Sequence, residues 1–165
     1  MKKYLKFAGI AAAALLVVGF LLLLVPEVTG SALWGSTHIV LNQPFNGFAA
    51  TFGSSYTEGY VTYSVDALGV AITAFVFFLV SIALAAFIIV NNLLKKPLVK
   101  LEFPVFWSAL FVTSLVTAIL YFVAHGQLAQ TGYDLGAAFI LAAILALLTA
   151  LLAGCRVVIK FLKKA

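Results

Sequence analysis

Apolar residues run along this chain in four long blocks, Phe7–Val25, Ala67–Val90, Phe103–Ala124 and Leu135–Cys155. They are 19, 24, 22 and 21 residues long, and none contains a charged side chain. A helix rises 1.5 Å per residue, so about 20 residues cross the roughly 30 Å hydrocarbon core of a bilayer. Backbone amides in hydrocarbon must be bonded internally, which leaves a helix or a closed barrel. Barrel strands alternate apolar and polar over about 10 residues, and these blocks do not. The pattern predicts an all-α integral membrane protein: a bundle of four transmembrane helices, one polytopic domain over residues 1–165, with a small β-sheet in its long first loop.

That loop, Pro26–Asp66, has 41 residues, too many for a plain connector. Ile39-Val40-Leu41 and Phe48–Phe52 flank Asn46-Gly47, and Asn-Gly between apolar runs is a strong hairpin signal. Pro44 restricts its strand to an edge or shortens it. After Gly53-Ser54-Ser55, the segment Tyr60–Val65 alternates, with Val61, Tyr63 and Val65 on one face. A three-stranded antiparallel sheet is expected from these runs. The competing reading is an irregular loop whose aromatics, such as Trp34, Tyr60 and Tyr133, sit at headgroup level.

Composition agrees with the pattern. Of 165 residues, 65% are hydrophobic and 9% charged, with a mean hydropathy of +1.20. A soluble domain carries about 25% charge, so a water-soluble enzyme, a nucleic-acid-binding domain and a disordered chain are excluded. The ten cations fall in three places: Lys2, Lys3 and Lys6; Lys95, Lys96 and Lys100; Arg156, Lys160, Lys163 and Lys164. Pro26–Asp66 and His125–Asp134 hold none, and carry Glu27, Glu58, Asp66 and Asp134. The positive-inside rule puts both termini and the 91–102 connection in the cytoplasm of a plasma or bacterial inner membrane. The basic face is expected to attract anionic lipids, and no nucleic acid. The first block exceeds the 7–15 apolar residues of a signal peptide. A retained helix is therefore expected over cleavage near Gly30-Ser31-Ala32. Asp66-Ala67-Leu68-Gly69 and Asp134-Leu135-Gly136 echo one another, as a duplicated helical hairpin would, but lysines and capping residues alone account for the echo.

Two stripes stand out. Ala138, Ala142, Ala146, Ala150 and Gly154 recur every four residues, a spacing that lets helix backbones approach closely in lipid. The partner is expected within the same chain, with Gly9/Ala13 and Ala8/Ala12 as candidates on the first helix, or in a second copy. Thr113, Ser114, Thr117, Tyr121 and His125 fall within about 120° of arc on the third. Read functionally they form a solute path or a proton relay ending at a histidine. Read plainly, the hydroxyls bond their own helix carbonyls. The plain reading is preferred, because the block centres hold no acid, base or histidine of the kind coupled transport uses.

No catalytic site, cofactor or metal is expected. Cys155 is the one cysteine, which excludes an internal disulfide or a thiolate metal cluster. It is read as a packed thiol, with lipidation as the alternative. His38 and His125 do not make a metal site by themselves. Asn46–Phe52 loosely resembles a motif of lipoprotein signal peptidase, but that family needs an Asn-x-x-Asp aspartate and no asparagine here is followed by Asp three residues on. The topology, with Leu33-Trp34 in the first loop, resembles claudin-type tetraspan proteins, whose pair of loop cysteines is missing. Neither assigns a family. The expected function is a non-enzymatic scaffold or accessory subunit, meeting a membrane-protein partner or a second copy through its outer loop and helix faces. The alternative is a small oligomeric channel or transporter.

Overall fold

The computed structural model describes residues 2–33, 37–93 and 104–162. The elements in chain order are α1 (Lys2–Leu22), β1 (Pro26–Leu33), β2 (Thr37–Asn46), α2 (Gly47–Phe52), β3 (Ser54–Glu58), β4 (Val61–Val65), α3 (Gly69–Leu93), α4 (Pro104–Gln130), β5 (Tyr133–Leu135) and α5 (Ala138–Leu162). The protein is mostly helical with a small sheet, and α3, α4 and α5 are long and apolar enough to cross a membrane. The apolar stretch of α1 is shorter, Phe7–Leu22. Trp34, Lys95, Lys96, Lys100, Glu102, Lys163 and Lys164 lie outside the described residues.

The helical body forms because each long helix offers one apolar face to two neighbours: α1 packs on α3 and α5, and α4 packs on the same two. Its interior is lined by Ala12 and Leu16 of α1, Ala74 and Phe78 of α3, Leu110 and Tyr121 of α4, and Ala142 and Ala143 of α5, all without exposed surface. Phe78 meets Tyr121 edge-on at 6.0 Å, and Tyr121 lies 5.3 Å from Phe139. The helices depart from the apolar blocks at their ends. Helix α4 runs past Ala124 to Gln130, so His125 is helical. Helix α5 begins at Ala138, since Leu135 belongs to β5.

The expected sheet is corrected in its membership. Phe48–Phe52 is not a strand but the short helix α2, and Asn46-Gly47 is not a hairpin turn. Asn46 is the N-cap: its Oδ1 accepts from Ala49 N at 2.9 Å, as a helix start requires. The first N–H groups of α2 also meet the end of α1. Gly47 N donates to Val25 O at 3.2 Å and Phe48 N to Leu23 O at 3.3 Å. Donors orphaned at the start of α2 are thus satisfied by carbonyls of the turn that follows α1.

The observed sheet has the order β2-β1-β5, antiparallel throughout, and its third strand comes from the second loop. Strand β2 is an edge strand. Its pairing passes from Val40 opposite Gly30 to Phe45 opposite Val28, so β2 spends five residues where β1 spends two. Pro44, which has no N–H to give a ladder, lies in that extra stretch. Strands β3 and β4 form a separate hairpin that turns at Gly59 (φ +61°), with Tyr56 stacked on Tyr63. Asn42 ties β2 to this hairpin by donating to the Glu58 carboxylate at 2.7 Å.

Candidate functional site

The most constrained polar group is Glu27, the second residue of β1. The β1–β2 register shifts between Pro26 and Val28, and the Glu27 carboxylate has no solvent exposure. Oε1 lies 2.6 Å from His125 Nδ1 on α4, and Oε2 accepts from Phe139 N at 2.8 Å in the first turn of α5. A helix N-terminus carries partial positive charge and unpaired N–H groups, so a carboxylate there is stabilised twice over. The backbone repeats the attachment: Gly136 N donates to Glu27 O at 2.7 Å and Ala137 N to Pro26 O at 3.2 Å. Gly136 has to be glycine here, because a Cβ would penetrate the Pro26 carbonyl. Burial pushes the Glu27 carboxyl above the usual carboxylate value, and the Phe139 N–H and His125 pull it back. One carboxylate thereby joins the strand after α1, the end of α4 and the start of α5.

The polar stripe of α4 divides into three parts. Thr113 and Thr117 are bonded within the helix, Thr113 Oγ1 donating to Ala109 O at 3.0 Å and Thr117 Oγ1 to Thr113 O at 2.9 Å. Ser81 of α3 joins this network, 2.9 Å from Thr113 Oγ1. Ser114 and Tyr121 are buried, and their hydroxyls have no hydrogen-bond partner among the described residues. His125 is partly exposed and belongs with Glu27.

The small-residue stripe of α5 also splits by partner. Ala138, Ala142, Ala146 and Ala150 are buried. At the sheet end Ala138 lies against α2, where a Cβ on Gly47 would come within 3.0 Å of it. At the far end a Cβ on Gly154 would meet the Phe111 ring of α4 at 3.1 Å. Gly9 faces Ile88 and Ile89 of α3 rather than α5, whereas Gly19 sits against Leu145 of α5 and Phe78. Cys155 is exposed, not packed.

Sequence reasoning passed over two of the groups that matter. Glu27 counted only as a loop acid; its position next to Pro26, directly after an apolar run, was the available signal. Arg156 counted with the terminal lysines, yet it is still helical and its guanidinium lies 5.7 Å from the Trp107 ring centre. Among the described residues, no three His, Cys, Asp or Glu side chains come together as a metal site would need. No protein-family model matches the chain, and neither curated proteins nor solved structures give a match.

Proposed function

We propose that the chain is a four-span membrane protein of a plasma or bacterial inner membrane, with both termini cytoplasmic, acting as a non-enzymatic scaffold or accessory subunit. The four-span reading is supported by apolar side chains exposed on the outward faces of all four long helices: Val17 and Leu21 on α1, Val76 and Leu79 on α3, Ile119 and Phe122 on α4, Leu148 and Leu151 on α5. Such surface is stable against lipid tails and unstable in water. Helix α1 shares the pattern, which favours counting it as a span despite its shorter apolar stretch.

One observation carries the scaffold reading over a conduit. Thr113 and Thr117 give their hydroxyls to carbonyls of their own helix, and the core-facing residues of α4 from Leu110 to Leu128, Ser114 and Tyr121 among them, are at most 2% exposed. Ion and substrate paths instead expose ionisable or polar groups to water. The bilayer, anionic lipid at the cytoplasmic face, and a membrane-protein partner or second copy are the partners this reading implies.

The test is topology. A cysteine at Ser55 should react with an impermeant thiol reagent applied from outside intact cells, and one at Lys96 should react only after lysis. Equal labelling of the two in intact cells would sink the arrangement.

A further inference from the structure

The end of the helical body opposite the sheet holds buried donors that have no acceptor among the described residues. Helix order brings the start of α1, the end of α3, the start of α4 and the end of α5 to this end, and the described cations Lys2, Lys3, Lys6, Arg156 and Lys160 lie on those segments. Arg156 Nε and Asn92 Nδ2 are buried there and have no hydrogen-bond partner among the described residues. Both continue core-facing rows: Ser81, Ala85 and Ile88 lead to Asn92, and Thr149 and Ala153 lead to Arg156. The Arg156 guanidinium is held over Trp107, itself 1% exposed. A buried unpaired donor costs about 1–3 kcal/mol, more when charged, so each of these groups calls for an acceptor.

We infer that Arg156 at this end binds the phosphate of an anionic phospholipid. The inference rests on the membrane reading above. Arg156 supplies a charged, planar fork matched to phosphate oxygens, and Trp107 fixes its direction by a cation–π contact. The ring of Phe87 on α3 lies 4.7 Å from that of Phe106 on α4, tilted by 38°. That register puts Asn92 six residues, or about 9 Å, nearer the end of the body than Trp107. A headgroup beyond a phosphate at Arg156 reaches toward Asn92, in the order a lipid presents from hydrocarbon to water.

Trp34→Phe leaves Trp107 as the only tryptophan, a reporter beneath Arg156. The protein is placed in phosphatidylcholine nanodiscs doped with increasing phosphatidylglycerol, and Trp107 emission is followed. A saturable change is expected. Arg156→Gln should weaken half-saturation at least about tenfold, the worth of a charge-assisted hydrogen bond. Arg156→Lys keeps the cation over Trp107 but not the fork, and should weaken it several-fold. Lys160→Gln should stay within about twofold. Helix content by circular dichroism confirms that each variant is folded. A change that never saturates, or equal affinity in Arg156→Lys and the parent, would overturn the site. Inorganic phosphate saturating the same signal in pure phosphatidylcholine discs would overturn the lipid as its source. Failure to incorporate into discs would instead strike at the membrane reading.

Discussion

The two ends of the helical body handle buried polar groups in opposite ways. At the sheet end, Glu27 is fully buried and both its oxygens are occupied, by His125 on one helix and the first turn of α5 on another. At the basic end, Arg156 Nε and Asn92 Nδ2 are buried with no partner among the described residues. Burying a polar atom is tolerable only when it is hydrogen-bonded. The Glu27 carboxylate is therefore satisfied by the fold itself, while the basic end, on the proposal above, has the form of a receptor. The difference separates residues that fix the fold from residues that await a ligand, and it can be tested from either side.

The largest effect is expected at Gly136. Gly136→Ala drives a methyl group into the Pro26 carbonyl and disturbs the bonds from Gly136 N and Ala137 N. Overpacking usually costs about 1–3 kcal/mol; here the obstacle is backbone with no rotamer to yield, so at least the upper end of that range is expected. Thermal unfolding in detergent measures it, and an unchanged midpoint would show that β1 is not pinned to α5.

Next comes the carboxylate. Glu27→Ala strands Phe139 N–H and His125 together and should cost about 3 kcal/mol. The pH dependence sharpens this. Burial raises the Glu27 carboxyl above its ordinary 4.5, so the folded state holds the proton more tightly than the unfolded chain. The stability this gives is fully present below about pH 4.5 and is lost as pH rises through the folded value. Removing the imidazole in His125→Ala takes away a group that favours the anion, so the stability gap between the parent and His125→Ala should widen from pH 4.5 toward neutrality. A gap constant with pH would mean that the two groups are not coupled.

A smaller effect is expected between the ends. Ala146 is fully buried on α5, so Ala146→Leu should cost about 1–3 kcal/mol. Leu148→Ile, on an exposed face, should be nearly neutral. Equal midpoints for the two variants would remove the case for close packing along α5.

How much of this was legible in the sequence follows from the range of each interaction. The long helices were readable because burial in lipid or protein writes an unbroken apolar run into each one. The small-residue row of α5 was readable because helical periodicity is local. The sheet-bearing lobe was not. Asn46-Gly47 carries the same letters whether it turns a hairpin or caps a helix; what decides for the cap is the turn after α1, whose Leu23 and Val25 carbonyls accept from the N–H groups of Phe48 and Gly47. The third strand, β5, comes from a segment more than a hundred residues away from its partner β1, too short to carry a pattern of its own. Glu27 was missed for the same reason: nothing near it in sequence announces Phe139 or His125. Arg156 was hidden among terminal lysines, and only its placement over Trp107 sets it apart.

On the proposed scaffold reading, the body between these two ends is a dry, packed support rather than a path for solute. Thr117 is the position that tests it best, because it is fully buried at mid-helix with its hydroxyl given to Thr113 O. A Thr117→Cys variant in a Cys155→Ala background carries a single thiol. Exposed to a water-soluble maleimide from both faces of a proteoliposome, that thiol should stay unmodified while the protein remains folded. Rapid modification at position 117, accompanied by a change in solute flux, would contradict the scaffold and make the polar stripe of α4 a conduit.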